Sequence, residues 1–420
     1  MKKNTEDRVR PHYQKAAELN SWMIRKGVLG LPHIDLLESY CRKLVELGVP
    51  LMRSHVTLNA LHPVFGGVGF DWQHDEGPVR HEYRHQEQAP DDWLTSPFYH
   101  MLTSGKFELR ERLCDMDEPS RFPLLNQMKD RGATDYLSAV LLFEEWTEGR
   151  AVDLDGNQEG ALMSWMSHAP DGFSDQDIEL IRATFPTLCV VLRTYTNRRT
   201  AEDLLGIYLG RDAGHRVLSG EIRRGSSRWI DAVICYFDLE GFTSMSRRIE
   251  GEKLIAMLND YFAVVVNRIE ENGGNVLKFM GDGLLAIFDR QQFADAPHRA
   301  VVATRALDSD MIDCSRAREA AGLPTMGYTM ALHAGPVLYG NIGADERLDF
   351  TVIGPEVNLA ARIAGMHRSL GQHIIVSETV ANEVKDDAFD LISLGRYMLR
   401  GVDKPHELYT IYDAAKATGD

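Results

Sequence analysis

Two acidic residues in the second half of the chain stand where chemistry could be done. Asp238 ends a short apolar run, 231–238 (DAVICYFD), that reads as a buried strand. Asp282 occupies Gly281-Asp282-Gly283, which reads as a tight hairpin tip between strands 275–280 and 284–288. Either acid alone would be a solvated strand end. Aimed at one point, the two carboxylates disfavour each other's ionisation, and a bound divalent cation removes that cost. Oxygen donors that leave room for water and phosphate suit Mg2+ or Mn2+. Two such ions, about 3.5–4 Å apart, would lower the pKa of an attacking hydroxyl and neutralise charge on a phosphoryl group. The backbone N–H groups of residues 240–244, at a turn opening a helix, are candidate anion donors. Asn358 and Arg362 lie four apart on an expected helix and share a face, either as site residues or as a surface pair.

Four segments carry a resemblance. FDLEGFTSMS (237–246), NVLKFMGDGLLAIF (275–288), HAGPVLYGNIG (333–343) and DFTVIGPEVNLAARI (349–363) resemble, in order and spacing, the catalytic domain of class III nucleotidyl cyclases. The resemblance covers residues 228–412. It implies a ferredoxin-like α/β domain that works as a head-to-tail homodimer with active sites at the shared interface. It makes Asp238 and Asp282 the ligands of two divalent ions per site, Mg2+ or Mn2+, with the Leu239 carbonyl adding a ligand. Gly241, Phe242 and Thr243 would hold the outer phosphates. Asn358 would orient the ribose. Arg362 would stabilise charge on the α-phosphate, for which a guanidinium that keeps its proton at neutral pH is suited. Arg400, in MLRGVDKP, stands where the family usually has a lysine for the terminal phosphates, and Arg396 competes for that part. In the family geometry the metals and phosphates sit on one protomer, and Lys278, Thr351, Asn358 and Arg362 come from the other.

Lys278 and Thr351 bear on the choice of base. Adenine offers an acceptor at N1 and a donor at N6, which an ammonium and a hydroxyl oxygen can meet. Guanine offers the reverse and would prefer a carboxylate at position 278. The expected substrate is therefore ATP, and the expected reaction forms 3′,5′-cyclic AMP and pyrophosphate, a phosphorus–oxygen lyase activity. The alternatives are a guanylate cyclase or a catalytically silent nucleotide-binding regulatory module. A diguanylate cyclase is excluded, because no GGDEF-like signature occurs. Two features depart from the family pattern or complete it. Pro355-Glu356 replaces a more usual small polar pair, and Gly340–Gly343 with the loop 344–347 reads as a turn forming a dimer arm.

The elements that must position these residues follow from periodicity. In the second half the order is strand, helix (254–269), strand, hairpin, strand, the first half of a ferredoxin-like sheet. The first half reads as a helix up to about residue 30, a helix over 35–47, and strands at 54–60, 79–85, 107–112, 136–143 and 160–167. A helix follows over 174–192. Gly66, Gly67 and Gly69 read as a turn. The order fits an α+β sensor, and GALMSWMSHAPDGFSDQDIELIRATFPTLCVVLRTY resembles the closing strand and helix of GAF-type domains. The expected division is a GAF-like regulatory domain at 1–200, a helical connector at 201–227 and the catalytic domain at 228–420.

Bulk properties set the remaining bounds. At 420 residues, two domains are expected. A net charge of −16 argues against nucleic acid as a partner. No apolar run approaches the ~20 residues that span a bilayer. The polar N-terminus and five scattered cysteines suit a cytoplasmic protein. His74, His81 and His85 lie among acids, but their spacing fits a solvated loop better than a metal site. Partners beyond ATP and a second copy reduce to a small-molecule or protein regulator of the N-terminal half.

Overall fold

The computed structural model describes residues 11–59, 65–84, 89–143, 149, 151–152, 159–384 and 390–412; His85 lies outside them. The chain divides into two compact units, Met1–Leu204 and Leu205–Asp420.

The first unit opens with α1 (Pro11–Val28) and α2 (His33–Glu46), then strands β1 (Leu51–Asn59), β2 (Phe65–Gln73) and β3 (Gly77–Arg84). After α3 (Asp91–Leu94) and α4 (Pro97–Ser104) come β4 (Glu108–Glu111), α5 (Pro123–Asp130), β5 (Asp135–Leu142) and β6 (Gly160–Ser167). The helix α6 (Asp175–Leu209) follows. The strands make one sheet in the order β3-β2-β1-β6-β5-β4, every described pairing being antiparallel. Strand β6 is buried along its whole length because helices cover both faces of the sheet. Ala161, Met163 and Trp165 face α1, α2 and α6, while Leu162 faces α4 and Met166 faces α5. Ser174 and Asp177 cap α6 reciprocally: the Ser174 N–H donates to Asp177 at 2.9 Å, and the Asp177 N–H to Ser174 Oγ at 3.3 Å. This is a sheet-rich α+β architecture, consistent with the GAF-like expectation.

Two readings are corrected here. Gly66, Gly67 and Gly69 are not a turn but lie inside β2. The reason is packing, since a Cβ at Gly69 would sit 2.8 Å from the Tyr83 ring on the paired strand β3. The acidic-histidine stretch is not a loop throughout either: His74 is in the turn after β2, and His81 is on β3.

In the second unit, α7 (Arg211–Leu218) precedes β7 (Ser227–Leu239), α8 (Phe242–Met245), α9 (Gly251–Glu271), β8 (Asn275–Met280) and β9 (Gly283–Asp289). Then come α10 (Ala296–Ala320), β10 (Tyr328–Ala344), β11 (Arg347–Ile353), α11 (Pro355–Ala364) and α12 (His367–Leu370). The chain closes with β12 (Ile374–Ser377), α13 (Glu378–Ala381), β13 (Asp390–Tyr397) and β14 (His406–Tyr412). The sheet order is β13-β14-β12-β10-β7-β9-β8, with β11 pairing β10. Within it, β7-α9-β8-β9-α10-β10 is a βαββαβ unit whose strands lie fourth-first-third-second, the ferredoxin-like arrangement.

Alternation along β7 assigns its two faces. Val233, Cys235, Phe237 and Leu239 pack against α9 and α10, whereas Ile230, Ala232 and Ile234 join α11 on the other side. Asp238 therefore shares the face that α11 covers. A third correction concerns Gly340–Gly343, which are not a turn but the far end of β10, paired with β11. A Cβ at Gly340 would lie 2.3 Å from the Ser226 carbonyl oxygen, so the glycine records a close backbone approach. The turn is at residues 345–346.

Candidate active site

The register of β7 and β9 sets Asp238 opposite Gly283, next to Asp282 at the β8–β9 hairpin tip. The Leu239 N–H donates to the Asp282 carbonyl at 3.2 Å and clamps the tip to the end of β7. Gly283 has to be glycine, because a Cβ would meet the Phe237 carbonyl oxygen at 2.5 Å and Asp238 Oδ1 at 2.8 Å. The resulting carboxylate pair is strained electrostatically. Burial first, and the neighbouring Asp282 charge second, push the Asp238 pKa up to about 6. No side-chain cation is hydrogen-bonded or ion-paired to Asp238 or Asp282 among the described residues. An uncompensated pair of oxygen donors has the chemistry that suits a hard divalent cation. Among the described residues no group of three or more His, Cys, Asp or Glu side chains converges.

The loop after β7 is more selective in its donors than the sequence suggested. Of the N–H groups of residues 240–244, Glu240 already donates to the Gly327 carbonyl at 2.8 Å and Ser244 to the Gly241 carbonyl at 3.0 Å. Gly241 takes a left-handed conformation, φ 77°, that reverses the chain into α8. The amides of Gly241, Phe242 and Thr243 remain without a hydrogen-bond partner among the described residues.

Helix α11 exposes Asn358 and Arg362 together while Val357, Ala360 and Ile363 are buried beneath. Arg362 Nη1 donates to the Gly401 carbonyl at 3.0 Å, which brings Arg362 beside the loop of Arg400. Arg396, the competitor, is engaged by Glu407 at 3.6 Å, whereas Arg400 has no ion pair among the described residues.

Lys278 lies on β8 and Thr351 on β11. Lys278 Nζ is 3.0 Å from Asp349 Oδ2, a partly exposed ion pair absent from the sequence reading. Asp349 stands two residues from Thr351 and so on the same face of β11. Its charge, two positions from a residue already singled out, was the available signal. Thr351 is 7% exposed and its hydroxyl has no partner, a buried polar group that awaits one. Among the described residues, no hydrogen bond or ion pair joins the Asp238–Asp282 pair to Lys278, Thr351, Asn358 or Arg362.

The family described as "Adenylate and Guanylate cyclase catalytic domain" matches residues 226–413. Residues 226–413 belong to that family. The cyclase domain is 32% identical over 193 residues to an adenylate cyclase of Anabaena cylindrica, spanning 46% of this chain and 38% of the relative. It is 28% identical over 196 residues to adenylate cyclase 1 of Rhizobium meliloti (strain 1021), spanning 46% of this chain and 29% of the relative. The chain thus spans well under half the length of these curated relatives. Among solved structures it is similar to the adenylyl cyclase CyaB from P. aeruginosa, at 26% identity and a TM-score of 0.42, covering 45% of this chain and 97% of that one. No helix among the described residues is long and apolar enough to cross a membrane.

Proposed function

We propose that the chain cyclises ATP to 3′,5′-cyclic AMP and pyrophosphate at sites shared between two copies, under the control of the N-terminal unit. The observation that carries this reading is the uncompensated Asp238–Asp282 pair at the mouth of the sheet. Asp238, Asp282 and the Leu239 carbonyl would hold two divalent ions, Mg2+ or Mn2+, which when bound acidify the ribose 3′-hydroxyl and neutralise charge on the triphosphate.

The remaining work belongs to the chain's own groups. The free amides of Gly241, Phe242 and Thr243 take the outer phosphates of the nucleotide held by their own protomer. Lys278 donates to adenine N1 and Thr351 accepts from N6, which leaves guanine with mismatched partners. Asn358 holds the ribose so that its 3′-oxygen faces the α-phosphorus. Arg362 meets the charge that grows on the α-phosphoryl oxygens as the new ester bond forms and pyrophosphate departs. Arg400 supports the terminal phosphates. That no hydrogen bond or ion pair joins the acid pair to Asn358 or Arg362 among the described residues is consistent with a site completed by a partner. The two relatives described above are adenylate cyclases.

The test is an assay of the purified chain, with and without its first 200 residues, for turnover of Mg- or Mn-ATP against the GTP complexes. Cyclic AMP formation that depends on Asp238 is the expected result. A parent chain that never turns ATP over, and in which Asp238→Ala merely weakens ATP binding, would be a silent regulatory module instead.

A further inference from the structure

The third and fourth motifs meet in a contact that none of these roles uses. His333 on β10 is 1% exposed. Its Nε2 lies 2.6 Å from Glu356 Oε2, and its Nδ1 lies 3.0 Å from Ser377 Oγ and 3.3 Å from Thr379 Oγ1. Burial lowers the imidazole pKa, against the opposing pull of Glu356 and with a small addition from His406. The ring is therefore neutral near pH 7: Nε2–H donates to the Glu356 carboxylate, and Nδ1 accepts from a hydroxyl at the end of β12 or the start of α13.

Glu356 is fitted to its place. Its side chain crosses Gly335, where a Cβ would lie 2.7 Å from Glu356 Cγ. It occupies the first turn of α11, two residues before Asn358 and six before Arg362. The rest of the α11 footprint is apolar, through Val357, Leu359, Ala360 and Ile363. Apolar contact is non-directional and holds a helix down without fixing its position along the sheet. A short, charge-assisted hydrogen bond from the first turn is directional and supplies that missing constraint.

We propose that His333 and Glu356 are positioning residues: the pair pins the start of α11 to β10 and so sets where Asn358 and Arg362 stand over the nucleotide. The inference rests on the cyclase reading for its consequence, and on its own geometry for its existence. It also accounts for the departure at Pro355-Glu356, where the proline fixes φ at the helix start and the glutamate reaches back to the buried ring.

The experiment is steady-state turnover of Mn-ATP by the full chain. Glu356→Ala is expected to lower kcat by about 10- to 100-fold, since displacement of about 1 Å costs on that order. KM for ATP should move by less than about threefold. Glu356→Gln keeps an oxygen that accepts from Nε2–H and should stay within about threefold of the parent. In an Arg362→Ala background, Glu356→Ala should cost less than in the parent, because one of its two routes to the substrate is already cut and only the displacement of Asn358 remains. An unchanged kcat in Glu356→Ala, equal damage by Gln and Ala, or an undiminished cost beside Arg362→Ala would each overturn the proposal. A second readout needs no activity. The ¹⁵N spectrum of the His333 imidazole at pH 7.5 should show a neutral ring protonated at Nε2, and a ring protonated at Nδ1 alone overturns the pin. A parent chain that makes no cyclic nucleotide would retire the cyclase reading, and the imidazole spectrum would still decide whether the pin exists.

Discussion

Each unit of this protein carries an aspartate on a strand of its sheet, and the two are treated in opposite ways. Asp135 in the first unit is fully buried and fully answered. Arg110 Nη2 donates to its Oδ2 at 2.7 Å, and the Phe173 N–H donates to the same oxygen at 3.0 Å, tying β5 to the segment before α6. Asp238 in the second unit is exposed at the end of its strand, yet it faces another carboxylate and no cation, and partial desolvation with that neighbour raises its pKa to about 6. A charge that the fold compensates is part of the fold. A charge that the fold leaves uncompensated is held ready for something that arrives from outside.

Removing each acid should separate these roles. Asp238→Ala is expected to reduce cyclic AMP formation by on the order of 10³-fold, while the thermal transition stays in place or rises because a like-charge contact is gone. Turnover and calorimetry on the same sample check both halves. Asp135→Ala leaves Arg110 half-buried and the Phe173 N–H unpaired, and should destabilise the first unit by about 3–5 kcal/mol. A denaturation curve in which the early transition moves while the later one holds would show it. If instead Asp238→Ala unfolds the protein and Asp135→Ala does not, the contrast is the wrong way round.

Metal and pH sharpen the same contrast with a smaller effect. The folded-state pKa of Asp238 is raised, so the folded chain binds its proton more tightly than the unfolded chain does. Stability contributed by that proton is present at low pH and is lost as pH rises from about 4 through about 6. Mn2+ needs the ionised form. The rise in melting temperature on adding Mn2+ should be full at pH 7.5, shrink below pH 6 and vanish in Asp238→Asn, whereas Asp135→Asn should leave it intact.

The smallest expected effect concerns the base. Lys278→Glu with Thr351→Cys should lower the ratio of ATP to GTP turnover efficiency by at least about tenfold. A doubly substituted enzyme that keeps its preference would remove both residues from base selection.

Much of this was legible in the sequence because it is local. The β8–β9 hairpin, the strand ending at Asp238 and the shared face of Asn358 and Arg362 depend on patterns spanning fewer than about ten residues. What was misread depends on distant neighbours. Gly340 looks like a turn residue until the approach of Ser226 is known, and Gly69 until Tyr83 lies over it. The Glu240 amide looks free until Gly327, far along the chain, accepts from it. Asp349 holding Lys278, and His333 reaching Glu356, are pairings between strands or between strand and helix that no spacing announces.

The central claim is that one copy brings Asp238 and Asp282 while a second brings Lys278, Thr351, Asn358 and Arg362. It is tested most directly by mixing two inactive full-length variants, Asp238→Ala and Arg362→Ala, and measuring cyclic AMP formation. Mixed dimers would carry one doubly damaged site and one intact site, so the account predicts that activity absent from either variant alone returns on mixing. Mixed dimers shown to form, yet as inactive as their parents, would contradict it.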